Sequence, residues 1–112
     1  MIRPDLAIAW KQVEDLMTER FGKKPDLEGI LFLIGINEFG HDAPKGGFTK
    51  EQKQDLMHIA VCTLLEQRNI YRFTGRDADG WPHFELVGHA EEQGLLAQEI
   101  LLKDCITRYF GF

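Results

Sequence analysis

A chain of 112 residues has the length of one ordinary domain, and 44% hydrophobic with 28% charged residues is the balance of a folded globular protein, not of a disordered or fibrous one. Two cysteines, Cys62 and Cys105, are too few for the disulfide framework of a small secreted scaffold. The net charge of −5 is modest but unevenly spread: residues 1–44 hold 5 Lys/Arg against 8 Asp/Glu, residues 45–76 hold 6 against 3, and residues 77–112 hold 2 against 7.

The opening Met1-Ile2-Arg3-Pro4-Asp5 lacks a charged segment followed by an apolar one, so no signal peptide is expected. The longest apolar run, Ile30 to Ile36 with one glycine, is far below the ~20 residues of a membrane helix. A single soluble, cytoplasmic domain without a cofactor or membrane contact is the expectation.

Gly and Pro punctuation divides the chain into five elements, which together predict an α+β, predominantly helical fold. The first helix is expected over about 5–21, with Asp5 as N-cap and Gly22 as its stop. Leu6, Ala9, Trp10, Val13, Leu16, Met17 and Phe21 recur at spacings of three and four, forming one apolar stripe. A second helix, about 27–39, is apolar nearly all round and belongs at the centre of the domain. Its Ile30-Leu31-Phe32-Leu33-Ile34 core also fits a buried strand, but Asp26 and Glu28 suit a helix start and Gly40 a helix end.

Residues 41–48 form a Gly- and Pro-containing loop. Thr49 followed by Gln52 then fits a capping box, opening a third helix over about 49–69. At about 100° per residue, Met57, Ala60, Val61 and Leu64 form its buried stripe. Glu51, Asp55, His58, Cys62 and Glu66 take the far side, with Ile59 among them.

A β-hairpin is expected over about 70–87. Tyr71 and Phe73 alternate with Arg72 and Thr74, and Phe84 and Leu86 with His83 and Glu85. Asp77-Ala78-Asp79-Gly80 supplies the turn. A four-residue loop sets Arg72 opposite Glu85, Thr74 opposite His83 and Arg76 opposite Trp81, with Tyr71, Phe73, Phe84 and Leu86 on the core face. A fourth helix follows over about 90–110, with Leu95, Leu102, Cys105, Ile106 and Tyr109 on its better apolar face.

The constellations that carry chemistry are incomplete. Asp77-x-Asp79-Gly80 matches part of a calcium loop, but alignment on Gly80 puts Gly75 at position 1 and Leu86 at position 12, so two ligands are missing. Glu38-x-x-His41 has the spacing of a di-iron carboxylate motif, yet there is one copy where two are needed. A looser metal or small-enzyme alternative uses Glu38, His41, Asp42 and His58. His58 and Cys62 share a helix face, but they make half a zinc site and lack an orienting partner for catalysis. There is no GxSxG, P-loop or GxGxxG.

Trp81 is the outstanding interaction residue. Its expected orientation is away from the core face, beside Arg76, where a cation–π contact can form. With His83, Ile59 on the polar side of the third helix, and the aromatic tail ending in Phe112, it makes a candidate partner-binding set. The leading expectation is therefore a non-enzymatic protein-interaction or self-associating domain.

The segment Leu64-Leu65-Glu66-Gln67-Arg68-Asn69-Ile70-Tyr71-Arg72-Phe73 leading to Asp79-Gly80 resembles the end of a winged helix-turn-helix domain, over about residues 49–87. That resemblance implies a recognition helix, a hairpin wing and nucleic-acid binding through residues 45–76. Glu51, Asp55 and Glu66 on the helix, and Asp77 and Asp79 at the wing tip, repel phosphate, so nucleic acid ranks below a protein partner. Across its length the chain is also similar to small bacterial proteins that share an apolar second helix and a D-G-W-P-H hairpin, a likeness that implies no function.

Overall fold

The computed structural model describes residues 2–90 and 94–112. The elements run α1 (Leu6–Phe21), α2 (Leu27–Phe39), α3 (Lys50–Glu66), β1 (Tyr71–Arg76), β2 (Pro82–Leu86) and α4 (Leu95–Tyr109). They form two compact units, one of residues 1–26 with 90–112 and one of Leu27–His89. No helix among the described residues is long and apolar enough to cross a membrane.

In the first unit α1 packs on α4. Ala9, Val13 and Met17, four apart, are the buried row of α1, as their spacing predicts. Asp5 does not cap the helix, because Arg3 takes its carboxylate in a two-pronged contact, Nε to Oδ1 at 2.7 Å and Nη2 to Oδ2 at 3.1 Å. That bond holds the Asp5 carboxyl below its usual pKa. The buried part of α4 is Asp104-Cys105-Ile106-Thr107. Leu95, assigned to the apolar face, lies in solvent in the first turn, because packing is concentrated towards the other end of the helix. The expected helical residues 91–93 lie outside the described ones.

Asp104 is fully buried and its carboxylate is enclosed by donors. The Arg3 main-chain N–H reaches Oδ1 at 3.2 Å and Arg108 Nε reaches Oδ2 at 3.1 Å. The Arg3 guanidinium continues to Thr107 Oγ1 at 3.3 Å and to the main-chain carbonyl of Phe112. One arginine thus ties the beginning of the chain to its end.

In the second unit α2 is a helix throughout, with Ile30, Leu31, Ile34, Gly35 and Phe39 buried. Gly35 sits directly on the main chain of Leu56 in α3: a β-carbon there would lie 2.6 Å from the Leu56 carbonyl carbon and closer still to its oxygen. The two helices meet backbone to backbone at this point, which only glycine permits. The predicted capping box starts α3, with Gln52 N–H on Thr49 Oγ1 at 3.1 Å and Thr49 N–H on Gln52 Oε1 at 2.9 Å. The helix ends at Glu66, three residues before the expected stop. Asn69 turns left-handed at φ 58°, and the Ile70 N–H returns to the Leu65 carbonyl at 3.1 Å, closing the last turn.

The hairpin pairs Tyr71 with Leu86, Arg72 with Glu85 and Phe73 with Phe84, as expected. Beyond Phe73 the register slips: Gly75 pairs with His83 and Arg76 with Pro82. Thr74 is the extra residue of a β-bulge, and Gly75 at φ 135° supplies the backbone conformation that the bulge needs. The expected Thr74–His83 and Arg76–Trp81 pairs are therefore replaced, and the loop lengthens to include Trp81.

Candidate docking surface

The bulge decides where Trp81 goes. Out of the strand, its ring lies half-buried on Phe39 at the end of α2, with centroids 4.4 Å apart and planes 33° apart. Phe48 adds to the same cluster, 6.0 Å from Phe39 and 6.4 Å from Phe32. Arg76 makes no cation–π contact with Trp81. Its guanidinium instead donates to the carbonyls of Glu38 (2.7 Å), Phe39 (2.9 Å) and Gly80 (2.8 Å), closing the α2 C-terminus, where a cation is favoured. The one cation–π contact among the described residues is Lys103 over Trp10, at 5.1 Å.

Ile59 is buried at 5% exposure, not displayed on a polar side, because the hairpin covers that flank of α3. A groove of about 430 Å³ runs there, lined by Asp55, His58 and Ile59 of α3 with Trp81, Pro82 and Phe84 of the hairpin. Phe112 is half-buried, and its main chain is held by Thr107 and Arg3. His83 stays exposed, its Nε2 2.9 Å from Asp77 Oδ2.

Asp77 organises the turn. Its Oδ1 accepts the N–H groups of Asp79 (2.9 Å) and Trp81 (3.0 Å), and the His83 contact, helped by these amides, holds its carboxyl below the usual carboxylate range. A carboxylate whose pKa is depressed by folding adds stability that is present above its unfolded value, about 3.9, and is lost as pH falls through the folded value. Acidification below that range is expected to release the Asp79 and Trp81 amides before the helices melt. Amide chemical shifts followed against pH check this, and turn amides that move only with global unfolding would contradict it.

The metal-ligand candidates are not assembled. Glu38 accepts from Asn37 at 3.4 Å, His41 packs its ring 5.1 Å from Phe39, and Asp42 is exposed in the loop. His58 meets Cys62, Nε2 to Sγ at 3.5 Å, and the Tyr71 ring at 6.2 Å. Among the described residues no three His, Cys, Asp or Glu side chains are placed to hold a metal ion. Burial pushes the Cys62 thiol up to about 11, opposite to the shift that a nucleophile requires. In a Cys105→Ser variant at pH 7.5, Cys62 is expected to react with a disulfide reagent at least about a hundredfold more slowly than free cysteine, the change in thiolate fraction alone. Labelling at the free-thiol rate would refute this.

The hairpin and the residue after it carry the exposed large apolar side chains of this unit. Phe73 is 45% exposed, Leu86 67% and Val87 50%, although Phe73 and Leu86 belong to its apolar face. Phe73 and Phe84 meet edge to face with centroids 5.7 Å apart. The alternation expects Tyr71, Phe73, Phe84 and Leu86 on a core face, but Phe73 and Leu86 lie in solvent and only Tyr71 and Phe84 are half-buried, because α3 does not extend over the whole face. No protein-family model matches the chain, and no curated protein or solved structure matches it either.

Proposed function

We propose that this chain is a non-enzymatic interaction domain that associates with a second copy of itself through the hairpin. The supporting observation is the partly uncovered apolar face of a two-stranded sheet, with Phe73 and Leu86 in solvent. Two-stranded sheets are marginal alone and gain from further strands or a covering surface, and clustered exposed apolar side chains mark interaction sites. Two buried cysteines that form no disulfide accord with a reducing cytoplasm. Nucleic acid fits less well, since Arg72 is held by Glu85 and Arg76 by main-chain carbonyls, leaving Asp77 and Asp79 at the tip.

Dilution calorimetry tests the reading. Injecting concentrated protein into buffer is expected to give a dissociation heat that Leu86→Asp removes. Dilution without heat at several temperatures would overturn it.

A further inference from the structure

The backbone of the hairpin shows which edge is open. The Val87 N–H donates to the Ile70 carbonyl at 2.8 Å. In an antiparallel ladder hydrogen-bonded and non-hydrogen-bonded pairs alternate. Arg72–Glu85 is therefore a hydrogen-bonded pair, whereas Tyr71–Leu86 and Phe73–Phe84 turn their main-chain groups outward. On the β1 side one outward group is taken, since the Phe73 N–H donates to Glu66 Oε2 at 2.8 Å. On the β2 side nothing among the described residues meets the outward groups of Phe84 and Leu86. An open strand edge beside exposed apolar side chains is a template for another strand.

We infer that the occupant is the β2 strand of a second copy, paired antiparallel about a two-fold axis at Phe84 to make a four-stranded sheet. This rests on the self-association proposed above. The charge pattern selects the second copy and the register. With the axis at Phe84, Phe84 faces the partner's Phe84, Leu86 faces the partner's Pro82, and His83 faces the partner's Glu85. Arg72 already meets Glu85, and the Glu85 carboxylate then lies beside the partner's His83 imidazole, itself in contact with the partner's Asp77, so no like charges are opposed across the joint. An axis at Glu85 sets two like charges opposite each other, which is destabilising, and an axis at His83 pairs two imidazoles. Only the Phe84 register uses the whole of Pro82–Leu86.

Four main-chain hydrogen bonds result, two between the Phe84 residues and two from Leu86 N–H groups to Pro82 carbonyls. Pro82 has no N–H to give in return, so the Leu86 carbonyls gain no bond. Phe73, Phe84 and Leu86 of both copies come onto one face of the joined sheet. A joint this short makes a reversible dimer.

Amide hydrogen exchange on the full chain, above and below the concentration of half-association, tests the pairing. The Phe84 and Leu86 amides are expected to slow at least about tenfold on association. The Glu85 amide, already bonded within the hairpin, does not change. In a mixture of labelled and unlabelled protein, an intermolecular nuclear Overhauser effect is expected between the α-protons of His83 and the partner's Glu85. Leu86→Pro removes an outward N–H from each copy without breaking the β1 ladder, and is expected to weaken association about tenfold relative to Leu86→Ala. Trp81 fluorescence reports whether the hairpin remains folded in both.

A dimer in which the Phe84 and Leu86 amides exchange equally at both concentrations overturns the edge pairing and leaves self-association standing. No association heat in wild-type protein removes both. Protection that appears only with an added extended peptide, and never with the chain alone, assigns the edge to another partner and overturns the second copy.

Discussion

Gly35→Ala is expected to be among the most destabilising single-methyl changes in this protein. The added carbon would occupy the space of the Leu56 carbonyl group, and a backbone cannot rotate away as a side chain does. Relief requires α2 and α3 to separate, which loosens Ile30, Ile34, Leu56 and Leu64 together, all at or below 1% exposure. Interiors packed at crystal density resist such shifts. Overpacking costs about 1–3 kcal/mol when side chains adjust, and a backbone clash belongs at the upper end or above it. About 3 kcal/mol lowers the melting temperature of a chain this size by roughly 10 °C or more. Chemical denaturation read by Trp81 fluorescence checks this, and a loss below about 1 kcal/mol would mean that the two helices are not in backbone contact.

The second large effect is expected at Asp104. Its carboxylate is fully buried, yet it receives a main-chain N–H from Arg3 and Nε from Arg108. Removing one partner of a buried pair costs about 3–5 kcal/mol. Arg108 is 48% exposed and can return to water, so about 2–3 kcal/mol is expected for Asp104→Ala, most of it from the orphaned Arg3 N–H and the cavity. Asp104→Asn retains an acceptor and is expected to lose less than half as much. If both variants match wild type in urea unfolding, the Arg3–Asp104 tie does not hold the ends of the chain together.

Much of the fold is legible in the residue order. Apolar residues four apart place the buried row of α1, and Thr49 with Gln52 marks the start of α3 within one residue. Period-two alternation identifies both strands and the apolar side of the hairpin. What escapes that reading has definite causes. The bulge at Thr74 is invisible to a two-residue alternation until Gly75 is taken as its signal, and one inserted residue is enough to move Trp81 from a strand face to the end of α2. Ile59 is assigned to a polar side because a helical wheel shows one buried stripe, whereas α3 is covered by α2 and by the hairpin. Asp5 carries a capping residue type but is claimed by Arg3, two residues away. Asp104 looks like a surface charge in an i,i+4 pair with Arg108, and nothing local announces that Arg3, a hundred positions earlier, closes over it.

The candidate site is less legible than the fold for the same reason. Trp81 and Arg76 are residue types that interfaces favour, and here both are engaged at the end of the unit's own α2, while Ile59 is buried beneath the hairpin. The surface left over is the hairpin edge, which is defined by which main-chain groups lack partners. Side-chain chemistry alone does not reveal that.

Sedimentation equilibrium of the wild-type chain, from micromolar to millimolar concentration, tests the central claim most directly. The average mass is expected to rise from that of one chain towards that of two, to level there, and to stay at one chain for Leu86→Asp throughout. A mass of one chain at every concentration, or one that climbs past two without a plateau, would contradict a closed dimer built on the hairpin.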